Sequence, residues 1–153
     1  MTAEEKLISL GIELPEVPVP LGSYVSFVRT GNLIYLSGML PLSGGKLAYS
    51  GRVGQSVTLD EAVEAARISA VNALAVLKAG AGSLHKVRRC VKVTGFVSSA
   101  PDFIEQPKVI NGASDLMFEV FGEKGRHARA AVGVNVLPMN APVEIDFIFE
   151  MEG

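Results

Sequence analysis

The sequence predicts an α+β fold: one mixed β-sheet with two helices packed on one of its faces, in the order ββαβαββ. Five segments rich in β-branched and aromatic residues read as strands, and two segments with apolar residues at helical period stand between them. That order suits a two-layer domain better than separate all-α and all-β parts. The 153 residues match a single domain, 1–153. A chain of this size buries roughly 68–70% of its unfolded surface, enough for one core without disulfides or metals.

Residues 1–21 are expected to form an extended lead-in. Pro15, Pro18 and Pro20 each fix φ and disfavour helix at the preceding residue, so Ile12 to Leu21 reads as extended. Tyr24–Val28 and Leu33–Met39 then form a hairpin closed by Thr30, Gly31 and Asn32. Ser43–Gly54 is glycine-rich and aperiodic, a loop with room for a short edge strand at Lys46–Tyr49. Thr58 followed by Glu61 is a capping-box pattern, and Val63, Ala66, Ala70, Leu74 and Leu77 share one helical face until Gly80 ends the helix. Val87–Val97 is a long strand. Pro107 opens the second helix, since a proline there forgoes an N–H that has no intrahelical partner; its stripe is Ile110, Ala113, Met117, Val120 and Phe121. Two strands close the chain, Ala128–Leu137 and Val143–Phe149. Alternation turns Ala130, Val132, Val134 and Val136 of the first, and Val143, Ile145, Phe147 and Phe149 of the second, toward the helices.

Charge and composition exclude several classes. A net charge of −2 and a pI near 5.7 argue against a nucleic-acid partner, which needs clustered Lys and Arg. Lys86, Arg88, Arg89 and Lys92, and then Lys124, Arg126, His127 and Arg129, read as solvated faces and strand ends. No run approaches the roughly 20 apolar residues of a membrane span. Met1–Gly11 carries Glu4, Glu5 and Lys6 where a signal peptide would be basic and then apolar, so a cytoplasmic address is expected. Cys90 is the sole cysteine and reads as a buried, inert thiol with no disulfide or metal-site partner. His85 and His127 lack the spaced partners of a catalytic triad and read as exposed loop residues, and no glycine cluster carries the Lys-Ser/Thr of a phosphate loop. Yet 48% of residues are hydrophobic and only 20% charged, which predicts apolar surface buried between subunits.

The opposite face of the last two strands holds the candidate chemistry. It carries Arg129, Ala131, Gly133 and Asn135 on one strand and Glu144, Asp146, Ile148 and Glu150 on the other. If these strands pair, Arg129 and Glu144 lie within side-chain reach, either as a cross-strand ion pair or as the polar centre of a site.

The run Arg129-Ala130-Ala131-Val132-Gly133-Val134-Asn135-Val136-Leu137-Pro138, followed by Val143-Glu144-Ile145-Asp146, resembles the C-terminal signature of the YjgF/Rid family of enamine/imine deaminases, also called endoribonuclease L-PSP-like. Gly22-Ser23-Tyr24, the strand ending in Ser37-Gly38, the helix after Thr58, and Asn111 match in the same order. The resemblance implies a chorismate-mutase-like α+β fold, a homotrimer with clefts between subunits, and no metal or organic cofactor. It also implies that Arg129 holds a substrate carboxylate, Glu144 orients water, and Tyr24 closes the pocket from the adjoining chain. Ser37, Gly38, Ala131 and Asn111 would line the site, and Asp146 is the second candidate carboxylate.

The chemistry implied is hydrolysis of a 2-imino or enamine acid to a 2-keto acid and ammonia. A guanidinium suits it because two parallel hydrogen bonds fix both the position and the orientation of a carboxylate. Three departures point to a divergent branch: Ala131 stands where the best-known branch has cysteine, Ser23 where a proline often precedes the tyrosine, and extra residues lie between Phe103 and Asn111. A trimer that binds small carboxylate metabolites without turnover is the alternative. An endoribonuclease or translation inhibitor is disfavoured by the acidic pI.

Overall fold

The computed structural model describes residues 1–17, 19–20 and 22–153. The predicted hairpin forms from β1 (Phe27–Thr30) and β2 (Leu33–Leu36), paired antiparallel about Gly31, whose φ of 58° favours glycine. β3 (Leu42–Ser43) and β4 (Lys46–Leu47) make a small ribbon of their own, so Lys46 pairs with Ser43 and not with the edge of the main sheet.

Helix α2 (Leu59–Ala81) begins where the capping box places it: Thr58 Oγ1 accepts from the Glu61 N–H at 3.2 Å, and the Glu61 carboxylate accepts from the Thr58 N–H at 3.0 Å. It runs past Gly80 to a cap at Gly82, φ 83°. Gly80 stays inside the helix, under the Phe27 ring: a Cβ there would stand 3.0 Å from it. Strand β5 (Val87–Ser98), helix α3 (Gln106–Phe121), strand β6 (Ala128–Val134) and strand β7 (Val143–Met151) complete the predicted order.

The five strands lie in the order β1-β2-β7-β5-β6, with β6 parallel to β5 and the other neighbours antiparallel. α2 and α3 pack on one face of this mixed sheet. Val143, Ile145, Phe147 and Phe149 of β7 are fully buried beneath them with Leu74, Leu77, Ile110, Leu116 and Met117. This is the expected face of β7.

Three expectations fail. The last two strands do not pair, because β5 lies between them; a parallel β5–β6 pair needs a crossover, and α3 supplies it. The phase of β6 is also reversed. Residues paired across a sheet share a face, and Arg129 and Ala131 pair with Val93 and Gly95, which lie beneath the helices. Val132, 43% exposed, points the other way. As an edge strand of alanines, valines and one glycine, β6 has no strong apolar side to fix its phase.

The third correction is at the N-terminus, where α1 (Ala3–Ser9) replaces the extended start of the lead-in. Thr2 and Glu5 form a capping box, Leu7 is buried at 3% exposure, and Glu4 accepts from Ser83 Oγ at 2.8 Å and the Leu84 N–H at 2.7 Å. Residues 12–17 are neither helix nor strand, as the prolines predict. Pro18 and Leu21 lie outside the described residues.

Candidate functional site

The predicted site residues fall into two groups. One is built around Arg129, at the start of β6, whose side chain runs toward α3. Its Nη1 donates to Asn111 Oδ1 at 2.8 Å and to Ser114 Oγ at 3.1 Å, both on α3. Arg129 faces no Asp or Glu in an ion pair among the described residues. It lines a pocket of about 450 Å³ with Ser114, Asp115, Phe118, Gly125, Arg126 and His127. An arginine held by neutral side chains keeps its charge for a ligand.

The second group gathers where β2 ends beside β7. Tyr24, Ser37 and Gly38 line a cavity of about 280 Å³ whose walls include Met39, Leu40, Leu42, Val76, Pro138 and Met139. Ser37 Oγ donates to the Val25 carbonyl at 2.6 Å, tying the Tyr24 segment to the end of β2. Met39 and Ile145 exchange backbone hydrogen bonds of 2.7 and 3.0 Å, which sets Gly38 beside Glu144. A Cβ on Gly38 would stand 2.8 Å from Glu144 Oε2, so only glycine lets the carboxylate lie there unshifted.

Glu144 is half-buried and makes no hydrogen bond or ion pair among the described residues. Burial pushes its pKa up, and the neighbouring Asp146 charge adds to this. Asp146 is also raised by burial, but it accepts a hydrogen bond from Thr94 and lies near Lys92, both of which pull it back. Of the two candidate carboxylates, Glu144 is the one without a partner.

One chain does not bring the two groups together. Glu144 pairs with Phe96, and Arg129 with Val93, three residues along the same strand β5. An odd offset along a strand means opposite faces. Arg129 and Glu144 therefore leave opposite sides of the sheet, Arg129 into its pocket beside α3 and Glu144 beside Gly38, and no ion pair joins them. Asn111 lies with Arg129, through the hydrogen bond to its Oδ1. Ala131 packs against the core and lines neither pocket.

Sequence reading missed His127 and Ser114. His127 is half-buried and not an exposed loop residue: its Nε2 is 2.8 Å from Ser114 Oγ and its Nδ1 is 2.6 Å from the Gly125 carbonyl. The partners are 13 residues apart on different elements, so only the docking of α3 on β6 reveals them. His85 is exposed, and among the described residues its only hydrogen-bond partner is Ser83. Cys90 is buried, and burial pushes its thiol up to about 12, the inert state expected. Among the described residues no cluster of His, Cys, Asp and Glu could hold a metal ion, and no helix is long and apolar enough to cross a membrane.

Sheet order, the two covering helices and the Leu-Pro turn before β7 together define a chorismate-mutase-like protein. Residues 4–151 match the family described as "YjgF/chorismate_mutase-like, putative endoribonuclease". The chain belongs to the YjgF/Rid family. It is 46% identical to Protein TCP17 of Trypanosoma cruzi over 93% of this chain and 89% of that one. It is 35% identical to a 2-iminobutanoate/2-iminopropanoate deaminase of Dermatophagoides farinae, over 92% and 95% of the two chains. The crystal structure of Atu1372 from Agrobacterium tumefaciens superposes with a TM-score of 0.91 at 50% identity, covering 99% of this chain and 93% of that one.

Proposed function

We propose that the chain is a homotrimeric deaminase that hydrolyses 2-imino and enamine acids to 2-keto acids and ammonia in clefts between subunits. The observation that carries this reading is the division of the site: an arginine without a carboxylate and a carboxylate without a cation stand on opposite faces of one sheet. A neighbouring copy can supply the missing half of each. The exposed apolar residues Val28, Tyr35 and Val132 on the helix-free face favour such an assembly. So does the similarity to a relative named as an iminobutanoate deaminase.

In this reading Arg129 grips the substrate carboxylate through two hydrogen bonds. Glu144 of the adjoining subunit takes a proton from water as its oxygen attacks the imine carbon. The C=N pair passes to nitrogen, which takes that proton back from Glu144, giving the carbinolamine; Glu144 then removes the hydroxyl proton as the C=O bond forms, the C–N bond breaks, nitrogen takes the proton, and ammonia leaves. Tyr24 closes the pocket and the backbone at Ser37 and Gly38 lines it. The raised pKa of Glu144 makes it a stronger proton acceptor than an ordinary glutamate, as a group that takes and returns a proton requires. An RNA-cleaving role is disfavoured by charge, since Arg88 and Arg89 approach Glu150 at 3.9 and 3.7 Å and Arg126 pairs with Glu123 at 3.0 Å.

The test generates 2-imino acids in situ with an amino-acid oxidase and follows their loss. Wild type should accelerate it, and Arg129→Lys, which keeps the charge but loses the fork, should abolish both the acceleration and 2-keto acid binding without lowering thermal stability. An Arg129→Lys protein with wild-type turnover ends this role for Arg129. A wild type that binds 2-keto acids but hydrolyses no imine replaces the enzyme with a carboxylate sensor.

A further inference from the structure

We propose that His127 is a positioning residue for Arg129, acting through the Ser114 hydroxyl to fix which edge of the guanidinium is presented to a ligand carboxylate. The inference rests on the reading of Arg129 as the carboxylate holder, and deepens it.

The hydrogen bonds run in one direction only. A backbone carbonyl can only accept, so the 2.6 Å contact between His127 Nδ1 and Gly125 O puts the ring proton on Nδ1. In the neutral ring Nε2 is then an acceptor, and Ser114, 2.8 Å away, donates to it. With its hydrogen so directed, Ser114 Oγ offers lone pairs to Arg129 Nη1 at 3.1 Å. The other Nη1 hydrogen goes to Asn111 Oδ1 at 2.8 Å. Both Nη1 hydrogens are therefore spent inside the chain. What remains for two parallel hydrogen bonds is the side formed by Nε and Nη2, so a carboxylate must dock side-on.

The neutral ring this requires is favoured by its surroundings. Burial holds the imidazole below its ordinary value and the Arg129 charge lowers it further, against a partial offset from the Gly125 carbonyl. Asp115, exposed on α3, lines the same pocket without pairing with either residue, and Arg126 in the preceding turn is held by Glu123. Ser114 thus stands between a neutral acceptor and a fixed cation, and its hydroxyl has one consistent orientation.

The first measurement needs no ligand: long-range ¹H–¹⁵N spectra of the assembled protein at neutral pH should give His127 as the Nδ1–H tautomer. An Nε2–H or doubly protonated ring overturns the proposal. The second measures 2-oxobutanoate affinity by calorimetry together with imine-hydrolysis kinetics. Ser114→Ala and His127→Ala should each raise Kd and KM by roughly tenfold with kcat little changed, the loss of one hydrogen bond to a charged group. Ser114→Thr, which keeps the hydroxyl, should restore wild-type affinity. Because the two residues act in one chain of bonds, adding His127→Ala to Ser114→Ala should cost nothing more. Additive losses, unchanged affinity in both single variants, or a Ser114→Thr protein as weak as Ser114→Ala would each overturn it. A wild type that binds no 2-oxobutanoate sinks the functional reading instead, while the tautomer still decides the relay.

Discussion

At the scale of the residue, the proposed hydrolysis turns on one half-buried carboxylate. Glu144 lies over the bare backbone of Gly38, raised in pKa first by burial and then by Asp146. As a base it must be ionised, so kcat/KM for imine hydrolysis should fall on the acid side with an inflection above the usual glutamate value of 4.5. Asp146→Asn removes the like charge and should move that inflection down; an unmoved inflection means Glu144 is not the titrating group. Glu144→Gln keeps the shape, so 2-oxobutanoate should still bind while turnover drops by roughly 10²–10⁴-fold. If binding falls with turnover, Glu144 is a structural residue. Arg129, Glu144, Tyr24, Ser37, Gly38, Asn111 and Ala131 could be singled out from the sequence only through the family motifs they resemble, and Ala131 lines neither pocket. His127 and Ser114 could not: a lone histidine and a helix serine acquire meaning only when β6 and α3 meet.

At the scale of the element, legibility followed the strength of the local signal. The start of α2 and the buried face of β7 were predicted because a capping box and strict alternation leave one consistent arrangement. β6 was misphased because its alanines and valines fit either face, and α1 was missed beside a proline-rich segment although Thr2 and Glu5 carry the same signature as Thr58 and Glu61. The docking of α3 on α2 depends on a position no periodicity exposes. A Cβ at Gly112 would stand only 2.2 Å from the Val63 carbonyl oxygen, a backbone atom that cannot swing away. Gly112→Ala should therefore cost about 1–3 kcal/mol in urea denaturation despite alanine's better helix propensity. Since Asn111 and Ser114 flank it, the same substitution should also weaken 2-oxobutanoate binding by displacing the partners of Arg129. A variant of wild-type stability would mean that the helices separate freely, and that their spacing does not position the site.

At the scale of the whole molecule, the separation of Arg129 from Glu144 turns a question about assembly into one about activity. If each site takes Arg129 from one subunit and Glu144 from the next, an Arg129→Lys chain and a Glu144→Gln chain are each inactive for a different reason, and each still carries the half that the other lacks. Folded together in equal amounts and allowed to assemble at random, they should rebuild intact sites wherever an unaltered Arg129 half meets an unaltered Glu144 half, which is about one quarter of all sites in a closed ring. Activity near that fraction of wild type should appear in the mixture and in neither parent. The mixed species can be isolated with two different affinity tags, and sedimentation should give three chains per particle. Recovered activity would also exclude simple loss of folding in either variant, since a misfolded subunit contributes no half-site. Verified mixed oligomers without activity would instead require both side chains in one chain's site, which the opposite faces of the sheet do not allow without a rearrangement of β6. A particle that sediments as a single chain at micromolar concentration would remove the cleft altogether, and leave Arg129 and Glu144 as solitary residues on separate surfaces.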